Sequence, residues 1–190
     1  MSNRMNEKGV TLTELMVVLG IIAITAAIAI PMYISDLPRQ RTKAAAQGLL
    51  SDLRLARGRA VANNQPYLIC FNETTNTSYT LRQEAGTPLN CTGTIDKTVD
   101  FTMNYPGVQF NIGNSTTPCT GVSVIDPVNF VNGTARFNRL GSSVDGSNSF
   151  WDGAVYVANT RDPNLQAYCV QVEGSTGRAK LWKWDNGGWK

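Results

Sequence analysis

Glu14 stands alone as a charged side chain at the head of an apolar run: Leu15 to Ile30 holds no charge, and only Gly20 and Thr25 interrupt its apolar character. A carboxylate in a membrane helix costs a few kcal/mol on insertion scales and marks a functional position by default. Val10 lies four residues before it, directly after Gly9. A cut after Gly9 would give Val10 a free α-amino group, which ordinarily titrates near ~8 and is cationic at neutral pH. Within one helix the amine and Glu14 would pair loosely. In a bundle, Glu14 of one subunit would meet the Val10 amine of a neighbour, and a short ion pair would replace two unpaired charges. The competing reading is a plain membrane anchor with Glu14 near the headgroups.

Other candidates for chemistry are few. The sequence has no His, which removes imidazole metal sites and His-based relays. No G-x-S-x-G or P-loop spacing occurs. Asp145, Asp152 and Asp162 fall in separate loops, and Asp145-Gly146-Ser147-Asn148 lacks the acidic spacing of an EF-hand, so it reads as a turn. No catalytic group, metal or cofactor is therefore expected, and a membrane-anchored hydrolase finds no residue to support it. Cys70, Cys91, Cys119 and Cys169 form no C-x-x-C pair, which argues against a zinc ribbon. An even set of cysteines beyond an export segment favours two disulfides in an oxidising compartment. Three pairings are possible, of which Cys70–Cys91 with Cys119–Cys169 is favoured; four reduced, buried thiols are the alternative. Near the C terminus, Trp182, Trp184 and Trp189 interleave with Lys180, Lys183 and Lys190. Aromatic and basic groups mixed in this way can bind single strands by stacking and charge, or can cover a core edge or dock a neighbour; packing is the favoured reading.

A leader, a helix in two halves and a β domain must position these residues. Residues 1–9 are polar and basic and end in Gly9. A secretory signal would place a small-residue cleavage site after its apolar core, but Pro31, Met32 and Tyr33 follow here, so the plausible cut is at Gly9 and the helix is retained. Residues 10–34 make a helix of about 37 Å, enough to span a hydrocarbon core of about 30 Å. Arg4 and Lys8 would stay on the cytoplasmic side. Residues 35–62 continue as an amphipathic helix: Ala46, Leu49, Leu50, Leu53, Ala56 and Ala60 recur at i, i+3, i+4 and i+7, with an irregularity expected at Pro38. The basic residues of its other faces, among them Arg54, Arg57 and Arg59, read as a solvated face. The whole chain carries only +3, and Arg4 and Lys8 against Glu7 take one unit of that with the leader, too little to argue nucleic-acid binding from charge alone.

From residue 63 to 190 the pattern shifts to period two. Tyr67–Phe71 and Ser78–Leu81 read as a hairpin. Further strands are expected at Val99–Met103, Val108–Ile112, Val122–Ile125, Ala135–Leu140, Ala154–Ala158, Tyr168–Glu173 and Ala179–Trp184, with residues 84–97 as a surface loop carrying Cys91. The fold class is α+β: a long N-terminal helix, half membrane-spanning and half amphipathic, packed on an antiparallel β-sheet domain.

Gly9-Val10-Thr11-Leu12-Thr13-Glu14, the apolar run and Pro31 resemble the N terminus of type IV pilins and type II secretion pseudopilins. That resemblance implies cleavage after Gly9 by a prepilin peptidase, methylation of Val10, an assembly role for Glu14, and local melting or kinking at Pro31, whose ring removes an N–H. Val10 departs from the usual Phe. Leu55 to Val61 with Asn64-Gln65-Pro66 and Cys70, then Phe130, Gly133 and Phe137, and finally Ser175 to Lys180, resemble the GspH/FimT group of minor pseudopilins and minor pilins. The closing G-R-x-R pattern of that group ends here in Lys180. The resemblance implies a non-enzymatic subunit, single-pass in the bacterial inner membrane with its β domain in the periplasm. Such a subunit associates with other pilins or pseudopilins and primes or caps a type IV pilus or type II secretion pseudopilus. It also implies an alternative, a DNA-binding minor pilin for natural transformation acting through Arg178, Lys180 and Lys183.

Overall fold

The computed structural model of the protein describes residues 10–72, 74–119, 126–160, 166–185 and 187–190. Its first element is helix α1 (Leu12–Ala62). The chain divides between Leu37 and Pro38 into two compact units. In the first, Leu12–Pro31 is apolar and long enough to cross a membrane, and none of it is buried within the chain. The helical assignment continues through Pro31 and Pro38, so the melting and the irregularity expected there do not interrupt it. A proline removes one i→i−4 bond, and the remaining bonds are enough to carry the helix on.

The second unit begins with the amphipathic half of α1. Ala45, Ala46, Leu49, Leu53, Ala56 and Ala60 are fully buried, a stripe at the 3.6-residue period. They share a core with two antiparallel sheets. The first sheet contains β1 (Tyr67–Phe71), β2 (Ser78–Gln83), β3 (Ile95–Asp100) and β6 (Thr134–Phe137), in the order β3-β2-β1-β6. The second contains β4 (Val108–Phe110), β7 (Gly153–Asn159), β8 (Tyr168–Val172), β9 (Ala179–Asp185) and β10 (Gly188–Trp189), in the order β10-β9-β8-β7-β4. The two-residue β5 (Val128–Asn129) also pairs with β7.

Both faces of β7 are covered, which is why all its residues are buried. Val155 and Val157 face the core shared with α1, whereas Tyr156 meets Trp182 and Trp189 on the other side. Trp184 packs on Ala158 and Ala167, with Trp189 against it at a ring separation of 5.1 Å. The C-terminal tryptophans thus seal the outer face of the second sheet.

Three expectations need correction. The strand expected at Val99–Met103 lies earlier, and Phe101–Asn104 forms a helical turn, α2. Asp100 ends β3 and caps that turn, accepting from the Thr102 amide at 2.8 Å and its hydroxyl at 2.7 Å. The expected loop 84–97 is correspondingly shorter, because Ile95, Asp96 and Lys97 belong to β3. The strand expected at Ala135–Leu140 stops at Phe137, because the Asn138 side chain accepts from the amides of Leu140 and Ser142, each at 3.0 Å, and bends the chain. Val122–Ile125 lies outside the described residues.

Disulfides join Cys70 to Cys91 and Cys119 to Cys169, with Cα separations of 6.1 and 6.6 Å. The first ties the loop after β2 to β1; the second ties the segment after β4 to β8. Their sequence separations are 21 and 50 residues, and loop closure scales with the logarithm of that length. Replacing Cys119 and Cys169 together by Ala should lower unfolding free energy by about 4 kcal/mol, against about 3 kcal/mol for Cys70 and Cys91. Urea unfolding of the two double variants measures both losses.

The amphipathic half of α1 is also tied to the first sheet through Asp52. Its buried carboxylate accepts from the Tyr79 hydroxyl at 2.7 Å and from Lys97 Nζ at 2.7 and 2.8 Å. Burial, and then Asp52, push the Tyr79 hydroxyl far above its ordinary range, so Tyr79 remains the donor. Because the folded state holds this proton more tightly than the unfolded chain, the stabilisation is complete below about pH 10 and declines as pH rises beyond it. Tyr79→Phe should cost about 1–2 kcal/mol at neutral pH and flatten the alkaline limb of a stability–pH curve measured beside the unsubstituted protein.

Candidate functional site

Two regions hold the residues with functional promise, one in each compact unit. At the head of α1, Val10 and Glu14 are both exposed. The Glu14 amide donates to the Thr11 hydroxyl at 3.2 Å, and that hydroxyl lies 3.5 Å from Glu14 Oε2. Thr11 and Glu14 therefore stand at the two positions of a capping box, T-x-x-E. Their spacing in sequence alone is enough to place them there. Gly9 lies outside the described residues, and Pro31 is an exposed residue inside α1.

The second region lies where the amphipathic half of α1 runs beside β9. Lys180 and Lys183 are exposed on β9, and Arg178 is exposed on the turn before it. Arg178 and Lys180 line a groove of about 710 Å³ with Leu50, Arg54 and Leu181. Lys183 lines a neighbouring groove of about 500 Å³ with Arg39, Lys43 and Tyr168. The structure thus splits the three candidate DNA contacts between two grooves. Arg178 and Lys180 also border a small recess of about 150 Å³ lined by Asp152 and Glu173. Carboxylates there oppose a phosphate backbone, and Trp182 and Trp184 are packed against the sheet. The DNA reading gains nothing from this arrangement.

Arg57 marks the end of the first groove. Its Nε donates to the Gly141 carbonyl at 3.1 Å. Gly177, at φ +62, sits so close to the same carbonyl that a Cβ there would collide with it. Only glycine suits both the left-handed backbone and the contact. Arg57 and Gly177, from the two ends of the similarity in sequence, therefore converge on one carbonyl oxygen.

Residues 45–177 match the family model described as Type II transport protein GspH, and residues 4–30 match the prokaryotic N-terminal methylation motif. The chain belongs to the GspH family. By family it is a minor pilin or pseudopilin, of a type IV pilus or of type II secretion. Among solved structures, this GspH-family chain is similar to the type IV minor pilin FimU of Pseudomonas aeruginosa, at 11% identity over 80% of this chain and 94% of that one, with a TM-score of 0.45. It is also similar to the minor pseudopilin EpsH from the type 2 secretion system of Vibrio cholerae, at 15% identity over 74% of this chain and 94% of that one, with a TM-score of 0.46. No curated protein sequence matches it.

Proposed function

We propose that the chain is cut after Gly9 and enters a filament as a structural subunit that primes or caps assembly. In this reading residues 1–9 are the leader, 10–34 the filament-core helix, 35–62 its amphipathic continuation and 63–190 the outward-facing domain. The observation that carries it is Leu12–Pro31, a predominantly apolar stretch of twenty residues, none of which is buried inside the chain. Surface of that extent needs a non-aqueous neighbour. Lipid supplies one before assembly, and the helices of other pilins or pseudopilins supply one afterwards.

Within such a bundle Glu14 pairs with the Val10 amine of the adjacent subunit and sets its axial register. Arg4 and Lys8 orient the helix across the inner membrane with the β domain in the periplasm. Co-expression with a prepilin peptidase tests the processing step. Intact mass should show loss of residues 1–9 with Val10 as the new N terminus, and Gly9→Val should retain its full mass. An unprocessed wild-type chain, or a cut beyond Pro31, would contradict the proposal.

A further inference from the structure

The groove between α1 and β9 contains an open sheet edge. Trp184 donates to Ala167 at 2.9 Å, and Glu173 donates to Arg178 at 3.0 Å. With the β8–β9 register, these bonds turn the main-chain groups of even-numbered residues on β9 toward β8. Odd-numbered residues therefore turn theirs the other way. Lys183 uses that side to exchange two bonds with Lys190, at 2.8 and 2.9 Å. Among the described residues the pairing of β10 with β9 reaches back to Lys183, and no described strand lies beside the N–H and C=O of Leu181 or the N–H of Ala179, which face the groove. Among the described residues the Ala179 carbonyl accepts from Arg54 Nη2, at 3.4 Å.

The surroundings of this edge select an occupant. Leu50 and Leu181 give the groove an apolar floor, and Arg54, Lys180 and Lys190 stand around it. Lys43 and Lys183 extend the basic lining into the adjoining groove, which shares Leu181. Among the described residues no Asp or Glu side chain lines either groove. A second copy of β9 would bring its own Lys180 and Lys183 up to a rim that is already basic, and like charge of this kind is one device by which natural edge strands refuse self-pairing. A nucleic acid would leave the Leu181 main chain unpaired, whereas an extended peptide satisfies it and supplies the opposite charge.

We propose that the β9 edge is a strand-addition site for an extended acidic segment of a partner protein, about five residues long. This goes beyond the assembly reading and does not depend on Glu14. The test uses the full chain in lipid nanodiscs and a fluorescein-labelled eight-residue peptide of alternating Val and Glu. Anisotropy should show saturable binding, and hydrogen exchange at the Leu181 amide should slow at least tenfold. Methylating alternate peptide nitrogens, in whichever of the two registers faces β9, should weaken binding at least tenfold. The exposed pair Lys180→Glu and Lys183→Glu should do the same, and a Val–Lys peptide should not bind. The proposal is overturned if no saturable binding occurs, if Leu181 exchange is unchanged, or if both N-methylated peptides bind as well as the parent. It is also overturned if a twelve-residue oligo-dT binds more tightly than the acidic peptide and is released by the same lysine variants, which would make the surface a nucleic-acid site.

Discussion

Glu84→Ala should lower the unfolding free energy by about 3–5 kcal/mol, the usual cost of stranding one member of a buried ion pair. The stranded group is Arg136 of β6, whose side chain is 5% exposed; that of Glu84 is 8% exposed. The guanidinium and carboxylate meet in a two-pronged contact, Nε to Oε1 at 2.7 Å and Nη2 to Oε2 at 2.9 Å. Its remaining prong, Nη1, donates to Asn148 Oδ1 at 2.6 Å and to the Asp145 carbonyl at 3.2 Å. Glu84 in turn accepts from the Leu89 amide at 3.2 Å. One pair thus fastens two loops to the edge of the first sheet.

In urea the midpoint should fall with little change in slope, because the surface exposed on unfolding is almost the same. Removing both charges should behave differently. A well-packed hydrophobic replacement of a buried pair is often near neutral, so Glu84→Leu combined with Arg136→Met should recover most of the loss. A double variant as unstable as Glu84→Ala would show that the hydrogen bonds to the loops, rather than the desolvated charges, dominate the cost.

This pair illustrates what the sequence conceals. Residues 84 and 136 are 52 positions apart, and neither stands in a motif that would link them. The stripe from Ala46 to Ala60 is the opposite case. It repeats at helical period over four turns, so its burial is readable without a structure. The hairpin of β1 and β2 and the long strands β7, β8 and β9 show equally well through alternation and flanking turn residues. Two-residue strands such as β5 and β10 carry too short a pattern to register. At Asp100 an apolar run hides a change of element, since Phe101 and Met103 extend the alternation while the Asp100 side chain starts a helical turn.

The candidate sites divide in the same way. Gly9, Val10 and Glu14 are legible because their spacing is local and their surroundings uniform. The groove beside β9 is not, because it unites Leu50 and Arg54 of α1 with Leu181 of β9 only after folding. The C-terminal tryptophans read in sequence as packing residues, with a binding surface as the alternative. In the folded domain their rings lie on Tyr156, Ala158 and Cys169.

Glu14 remains the residue on which the functional account turns, and the structure adds a rival explanation for it. The Thr11 hydroxyl caps the Glu14 amide and also lies within 3.5 Å of the Glu14 carboxylate, so the side chain has a local partner, in a contact worth about 1 kcal/mol at most. The proposed ion pair is worth more, since losing it would leave a neighbour's amine uncompensated in the filament core, at a cost of about 3 kcal/mol, or on the order of a hundredfold in incorporation. Glu14→Gln separates the two roles, because the side-chain amide can still accept from the Thr11 hydroxyl but carries no charge. The measurement is the amount of subunit in purified filaments relative to its amount in the membrane, for the wild type, Glu14→Gln and Glu14→Val, in cells lacking any other copy. The account predicts equal membrane insertion for all three and at least a tenfold loss of both variants from filaments. Incorporation of Glu14→Gln at the wild-type level would contradict it, and would leave the Glu14 side chain only its local contact with Thr11.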